Sequence, residues 1–355
     1  MSADPESSSG TSRYTLAGWF ASGVAIALLV AIAAVIEQRG RSEATMDVSA
    51  AAATAPSATA SPQATELATT PSPSPTPTST RIPTPEPTPL PLLLDLRPDT
   101  AGIGETFAVS VYAPRAGSTT VTFLDNSYPL GRQADGSWFG VIGVPLWASL
   151  GQWELGVVLF DEFGSLLEER SELVEVAWVE RPVDYLTLTA EQGAILTEEA
   201  AAQERAIRAE QFFTFDRGRR WTGPFRLPVQ GIGTTEFGQG RSINGGPVGG
   251  QHSGTDIANA EETPVYAAAP GRVAWTGKMP IRGNSVLIDH GDGVITGYHH
   301  LLEIIVELDD EVTSQTIIAA MGSTGLSTGP HLHWELTIYG VNVDPITWTL
   351  RDFTP

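Results

Sequence analysis

The chain has 355 residues, a formal net charge of −21 and no cysteine. A negative field of this size repels phosphate backbones, so the composition argues against a nucleic-acid-binding protein. Without cysteine, disulfide frameworks, thiolate metal sites and cysteine nucleophiles are excluded, and any bound metal needs imidazole or carboxylate ligands. The length allows two or three domains.

The first predicted element is an apolar helix over residues 16–36, a run without a charged residue. Crossing a bilayer takes about 20 apolar residues, whereas a cleaved signal peptide has an apolar core of about 7–15. We therefore expect an uncleaved, single-pass membrane anchor, and a buried soluble helix is the alternative. The flanking positive charges do not fix its orientation. We place 1–15 in the cytoplasm, and the C-terminal domains outside it, because of the segments that follow.

A linker rich in proline, serine and threonine is predicted over residues 37–91. Such a segment buries too little apolar surface to offset the entropy lost on ordering, so we expect it to be disordered. Its prolines favour an extended chain that rises about 3.1 Å per residue, which gives a reach on the order of 100 Å. That reach suits a protein that works in a wall layer beyond the membrane.

Residues 92–180 contain short runs that alternate apolar and polar residues, separated by turns such as Asp135-Gly136. This pattern predicts a small antiparallel β-sandwich. It resembles the immunoglobulin-like modules found beside cell-wall hydrolases. We expect a structural spacer, with binding of glycan or wall as the alternative.

A connector with one helix is predicted over residues 181–228. Thr197 is expected to cap a helix that runs from Glu198 to Gln211, and Ile207 and Phe212 are expected to pack on a neighbouring element. The sequence of the connector indicates no chemistry.

Residues 229–355 are glycine-rich with many short β runs, which predicts a mostly antiparallel β domain. All six histidines of the chain lie here, between residues 252 and 333. His331 and His333 are two apart, so their imidazoles stand on one face of a strand while Leu332 and Trp334 face the core. This pair alone indicates either a metal or catalytic site or an incidental arrangement.

The stretch from His252 to Asp256 strengthens the metal interpretation. Gly254 between them disfavours a helix, and a loop or bent strand allows both side chains to reach one point. One carboxylate and two imidazoles make three nitrogen or oxygen ligands, which leave the fourth position of zinc free for water, as in catalytic sites. A water bound there ionises near neutral pH.

Three motifs carry a resemblance to a known family. His252-Ser-Gly-Thr-Asp256, Tyr298-His-His-Leu301 and Thr328-Gly-Pro-His-Leu-His-Trp-Glu-Leu336 resemble the lysostaphin-type (LytM-type) zinc metallopeptidases that cut peptidoglycan. The resemblance covers about residues 225–350. It implies a bound zinc ion with His252, Asp256 and His333 as its ligands.

The same resemblance implies that His331 and His300 are the catalytic histidines. In the motif Tyr-x-His-Leu the histidine is His300, and strand alternation predicts that Tyr298 and His300 share a face while His299 points away.

Further candidates are weaker. Glu335 is expected either to contact a metal ligand and orient it without binding the metal itself, or to be a solvated strand residue. Arg241 and Asn244 are expected to line a substrate groove, and His290 and Asp292 to be turn residues in contact with solvent.

Together with the predicted anchor at 16–36, the resemblance implies a membrane-anchored zinc endopeptidase that hydrolyses peptide bonds in peptidoglycan, either in cross-links or in stem peptides. Two alternatives stay open: a non-catalytic relative that binds wall or activates another hydrolase, and a purely structural surface protein. The sequence does not determine which bond is cut or the oligomeric state.

Overall fold

The computed structural model describes residues 93–98, 100–212 and 218–355. Among these residues no helix is long and apolar enough to cross a bilayer. The predicted anchor at 16–36 and the predicted linker at 37–91 lie outside the described residues, so both stay predictions.

The first described region consists of strands only. They are β1 (Leu93–Arg97), β2 (Thr100–Gly102), β3 (Thr106–Tyr112), β4 (Ser118–Phe123), β5 (Asn126–Pro129), β6 (Gly131–Arg132), β7 (Ser137–Gly143), β8 (Gly151–Phe160) and β9 (Leu166–Ala177). One sheet has the order β1-β3-β7-β6 and the other β2-β9-β8-β4-β5.

The two sheets of this region pack face to face through aromatic side chains. Phe107 on β3 and Phe123 on β4 are fully buried and meet edge to face, with ring centroids 5.3 Å apart. The β4–β5 hairpin turns at Leu124 and Asp125, both with positive φ, which suits the twist of a two-residue hairpin. The arrangement agrees with the predicted sandwich, while its likeness to immunoglobulin modules stays a prediction.

The connector contains β10 (Val183–Leu186) and two helices, α1 (Ala190–Gly193) and α2 (Glu198–Phe212). Thr197 accepts a hydrogen bond from the backbone N–H of Ala200 at 3.1 Å, so the predicted cap is confirmed. Ile207 and Phe212 pack against a small buried cluster in the last domain, which confirms the predicted packing face.

The last region is again mainly β. Its elements are β11 (Ile232–Thr235), β12 (Gly240–Ile243), β13 (Val248–Gln251), β14 (Thr255–Ala258), β15 (Pro264–Tyr266), β16 (Gly271–Met279), β17 (Gly283–Asp289), β18 (Val294–Ile304), β19 (Glu311–Val312), β20 (Ile317–Met321), β21 (His331–Ile338), β22 (Val341–Val343) and the short helix α3 (Thr347–Leu350). A ten-stranded sheet has the main order β11-β14-β21-β18-β17-β16-β19, and β10 joins β12 and β13 in a separate sheet.

Three neighbouring antiparallel strands position the predicted site. In the β14–β21 ladder Asp256 lies opposite His333, and in the β18–β21 ladder His299 lies opposite His333. Residues far apart in sequence therefore reach one place by backbone pairing alone. The buried apolar residues Leu332, Trp334 and Leu336 alternate with the polar ones along β21 and fix its orientation.

The first region packs directly on the last one, and both belong to one compact unit. Tyr128 meets Tyr339 edge to face at 5.5 Å, and the indole N–H of Trp348 donates to Thr106 Oγ1 at 3.0 Å. The domain boundaries given above stay predictions.

Candidate metal centre

Three side chains predicted as metal ligands converge on one point. His252 Nε2, Asp256 Oδ1 and His333 Nδ1 lie 2.7 to 3.0 Å from one another. His252 is in the loop between β13 and β14, Asp256 is on β14 and His333 is on β21. All three residues are buried, and together they form a group able to hold a metal ion.

The outer hydrogen bonds of the two histidines aim their lone pairs at this point. The backbone carbonyl of Glu236 accepts from His252 Nδ1 at 3.0 Å, and Glu335 Oε1 accepts from His333 Nε2 at 3.0 Å. In the neutral imidazoles the opposite nitrogens are then unprotonated. Two nitrogen lone pairs and a carboxylate oxygen then face each other. Because these electron-rich atoms repel one another, the arrangement is favourable only with a cation or a proton between them. The donor set fits zinc, whose histidine ligands usually donate their second N–H in this way.

The hydrogen bonds among these residues also shift their pKa values. Burial by itself would raise the pKa of Asp256, but hydrogen bonds from His252 and His333 hold it well below its usual range. Burial would lower the pKa of His333, but its hydrogen bonds to Asp256 and Glu335 raise it above the usual value. When His333 is protonated, its Nδ1 also carries a proton, and a cation that binds here displaces it, so binding is coupled to proton release.

Gly254 allows the loop that carries His252 to approach β21. A Cβ atom at this position would lie 2.4 Å from the carbonyl oxygen of Trp334 and 3.0 Å from His333 Cε1. A larger residue would therefore push the loop away from the strand. Gly254, which disfavours a helix in the sequence, is thus also required for His252 to reach Asp256 and His333.

His331 and His300, the predicted catalytic pair, flank the three ligands. Their rings lie 4.8 Å apart, and His331 Nε2 is 3.9 Å from Asp256 Oδ1. The carbonyl of Gly329 accepts from His331 Nδ1 at 2.8 Å, and that of Thr324 accepts from His300 Nδ1 at 2.7 Å. The neutral rings therefore carry an unprotonated Nε2. Burial holds the pKa of His300 well below its usual value, so this ring is neutral at pH 7.

The predicted alternation of Tyr298, His299 and His300 is wrong. Tyr298 faces the core, while His299 lies beside His333 with its Nε2 3.4 Å from Glu335 Oε2. His300 has φ of +60° at a bulge where β18 gains one residue against β17, and this turns its ring back to the side of His333. Both histidines therefore face the centre.

Glu335 is a buried partner of the predicted ligand His333 and not a solvated residue. Only 2% of it is exposed, and its carboxylate also contacts Arg208, Arg282 and Ser253. Burial would raise the pKa of Glu335, but the positive charges of Arg208 and Arg282 hold it well below its usual range. Of the two expectations for Glu335, the orienting position is the one that the structure supports.

The sequence of the connector indicated no chemistry, but Arg208 and Glu204 of α2 contact Glu335 and Arg282 beside the predicted ligands. Both contacts join residues more than 70 positions apart, so no local motif reports them. The sequence did contain one indication of these contacts. Glu204 and Arg208 are four residues apart, so both charges lie on the same face of the helix. That face also carries the packing residues Ile207 and Phe212.

Two predicted turn residues are buried. His290 is fully inaccessible, and its ring nitrogens lie 2.8 Å from the carbonyl of Pro270 and from Thr296 Oγ1. Burial lowers the pKa of His290 to about 4, so it is a neutral core residue. Asp292 is buried where the β17–β18 turn meets Gly131 of the first region, and burial raises its pKa to about 6. The turn itself is as predicted, but the first region covers it.

The centre opens into a cavity of about 360 Å³. Asp256, His300, His331 and His333 line one part of it, and the connector contributes further wall residues, namely Asp184, Leu186, Leu188 and Leu196.

Arg241 lines this cavity as predicted, with its Nη2 3.6 Å from Asp256 Oδ2. Asn244 does not line it, because its Oδ1 is turned to the connector and accepts from Leu188 N at 2.8 Å. Asp184 lies opposite Arg241 in the parallel β10–β12 ladder. Among the described residues, Asp184 Oδ2 and Arg241 Nε are buried without a hydrogen-bond partner.

Comparison with known proteins places this site in a family. Residues 250–345 match the sequence model of Peptidase family M23. The peptidoglycan DD-endopeptidase ShyA of Vibrio cholerae is 44% identical over 89 residues, which are 25% of this chain and 21% of ShyA. The DD-carboxypeptidase/endopeptidase Mpg of Neisseria meningitidis is 41% identical over 99 residues, 28% of this chain and 23% of Mpg. The chain thus covers less than a quarter of the length of either relative.

A solved structure extends the likeness beyond the matched residues. A crystal structure from Pseudomonas aeruginosa assigned to peptidase M23 superposes with a TM-score of 0.52 at 25% identity, covering 68% of this chain and 92% of that one. The family predicted from the histidine motifs is confirmed: this chain carries a Peptidase family M23 domain over residues 250–345.

Proposed function

We propose that this chain is a zinc-dependent endopeptidase that hydrolyses peptide bonds in bacterial peptidoglycan. The observation that carries the proposal is the convergence of His252 Nε2, Asp256 Oδ1 and His333 Nδ1 beside two further histidines in an open cavity. Zinc held by these three side chains would polarise the scissile carbonyl and make water a stronger acid.

The chain's own residues then supply proton transfer. In their neutral forms His331 and His300 each present an unprotonated Nε2, because a backbone carbonyl accepts the hydrogen of Nδ1. Such an atom accepts a proton from the attacking water and returns it to the leaving amine, a contribution of about 10²–10⁴-fold in rate. Glu335 keeps His333 in the tautomer that leaves Nδ1 free for the metal.

Peptidoglycan as the substrate is supported by the two relatives above, which are a peptidoglycan DD-endopeptidase and a DD-carboxypeptidase/endopeptidase. We further propose that residues 16–36 anchor the chain in a membrane and that 37–91 hold the domain away from it, outside the cytoplasm. The uncharged apolar run and the proline-rich composition support this arrangement.

The test compares purified chain with the variant Asp256→Asn on purified peptidoglycan, counting the amino groups released. We expect activity in the unchanged chain and its loss, with loss of bound zinc, in the variant. The matched control is Asp309→Asn, at an exposed turn with φ of +71° that asparagine also adopts, and it should retain full activity.

A chain that binds zinc but releases no amines from any peptidoglycan would contradict the proposal. That result would favour the non-catalytic alternative, a protein that binds wall or activates another hydrolase.

A further inference from the structure

Helix α2 lies outside the residues that match Peptidase family M23, yet it contributes two buried charges next to the metal centre. Glu204 is 2% exposed, and the Arg208 side chain is largely buried. A charged side chain that leaves water without a partner costs several kcal/mol, so buried charges are kept where they are paired. The partners of these two are Arg282 and Glu335 of the last domain.

The first chain of contacts runs from Arg208 to a metal ligand. Arg208 Nη2 donates to Glu335 Oε2 at 2.8 Å, and His333 Nε2 donates to the other oxygen, Oε1, at 3.0 Å. Each oxygen of the carboxylate is therefore held by a different donor. This fixes the plane of Glu335, and with it the ring of His333.

The second chain of contacts runs from Glu204 to the loop that carries His252. Glu204 pairs with the Arg282 guanidinium and accepts the backbone N–H groups of Ile281 and Arg282 at 2.8 and 3.0 Å. Arg282 Nη2 donates to Ser253 Oγ at 2.8 Å, and Ser253 follows His252 directly. Arg282 also donates to Glu335 Oε1 from its Nε at 3.1 Å.

We call Glu204, Arg208, Arg282 and Glu335 the charge cluster. It contains two positive and two negative side chains, so it is neutral as a whole. Its members contact both segments that bring metal ligands together, β21 through His333 and the β13–β14 loop through Ser253. Without Arg208, the cluster would retain an excess negative charge next to His333.

We propose that Arg208 and Glu204 of α2 are positioning residues of the metal centre, which hold His333 and the His252 loop in the arrangement that binds zinc. The inference rests on the zinc site of the proposed function. It extends the working unit of the peptidase beyond residues 250–345 to include α2.

The test uses the full chain and measures the zinc dissociation constant by competition with a chromophoric chelator. Arg208→Met removes the charge but keeps much of the volume, and we expect zinc to bind about 10- to 100-fold more weakly. Arg208→Lys retains the charge and should recover part of the loss. The control Arg205→Met lies on the same helix in an exposed pair with Glu198 and should bind zinc as the unchanged chain does.

Glu204→Gln is the second variant, because it changes a charge without changing size. It should also weaken zinc binding, and its thermal unfolding shows whether the fold is intact. The inference is overturned if the zinc dissociation constants of Arg208→Met and Glu204→Gln stay that of Arg205→Met, whether or not the unfolding temperature falls. Failure of the unchanged chain to bind zinc would instead contradict the proposed function itself.

Discussion

The two β regions of this chain bury very different side chains. In the described part of 93–177, no aspartate, glutamate, histidine, lysine or arginine is buried, and the buried polar side chains are those of Thr106, Thr119 and Tyr128. The region from 229 onwards buries five of the six histidines, together with Asp256, Asp289, Asp292 and Glu335. Both regions have apolar cores built from alternating strands, so the core itself does not distinguish them.

This difference locates the chemistry. Burying an ionisable group costs free energy, and such groups persist where they are paired or where a function needs them. The first region buries no charged side chain among its described residues, and it packs against the last region through Tyr128 and Thr106. Substitutions in the first region should therefore change stability, whereas substitutions among the buried ionisable groups that surround the metal centre should change chemistry.

The largest expected effect comes from a substitution among the buried ionisable groups, at His300. We expect His300→Ala to lower kcat by about 10²–10⁴-fold, because the variant lacks an unprotonated Nε2 beside the ligands. Its zinc content should stay that of the unchanged chain, since His300 is not among the three proposed ligands. Steady-state kinetics with zinc analysis checks this. A fall in kcat below 10-fold would remove His300 from the mechanism.

Phe123→Ala tests the other half of the comparison, the expectation that substitutions in the first region change stability. The ring packs on Phe107 between the two sheets, and its removal should lower the free energy of unfolding by about 3–5 kcal/mol. Denaturant unfolding measures the loss. Under conditions where the variant is folded, kcat and the zinc dissociation constant should be unchanged, and a drop in either would show that the two regions are coupled.

Asp292 lies where the two regions meet, and its pKa predicts a pH dependence of stability. Because burial raises the folded-state pKa to about 6 from a usual value of 3.8, folding favours the protonated carboxyl. Its stabilising contribution is present at low pH and is lost as the pH rises from about 4 to 6. We expect Asp292→Asn to be more stable than the unchanged chain by about 2 kcal/mol at pH 8 and equal to it near pH 4.

The matched control for Asp292 is Asp125→Asn. Asp125 also has positive φ in a hairpin turn, but it is exposed on the first region. Thermal unfolding across pH 4–8 should show the pH-dependent gain for Asp292→Asn alone. An equal gain in both variants would mean that turn conformation, and not burial, causes it.

The smallest expected effect concerns the cavity wall. Arg241 lines the cavity and its Nε has no hydrogen-bond partner among the described residues, so the guanidinium has donors left for a carboxylate of the substrate. We expect Arg241→Met to raise KM about 10-fold for peptides with a free carboxylate and to leave KM for their amidated forms unchanged. Arg226→Met, at an exposed position that does not line the cavity, is the control. Equal effects on both peptides would exclude this role.

Local patterns in the sequence predicted much of this arrangement. Strand alternation placed His331 and His333 on one face, and Gly254 indicated the loop that brings His252 and Asp256 together. The cap at Thr197 and the hairpin after Asp289 also follow from residues close in sequence. In each case the interacting groups are separated by a few residues, so composition and spacing carry the information.

The remaining features depend on long-range packing. The orientation of His300 comes from a bulge with positive φ, a conformation that a histidine seldom adopts and that no spacing predicts. The burial of His290 depends on the packing of Phe225, whose ring lies 5.0 Å from it. The charge cluster joins residues more than 70 positions apart, so α2 appeared to be a simple connector.

The position of Glu204 and Arg208 has a practical consequence for protein engineering. A fragment cut at the limits of the family match, residues 250–345, would lack the two side chains that neutralise Arg282 and Glu335. Chimaeras between relatives should therefore exchange α2 together with the segments that carry Arg282 and Glu335. Swaps made at residue 250 would separate Glu204 and Arg208 from Arg282 and Glu335, which are largely buried, and unpaired charges are poorly tolerated there.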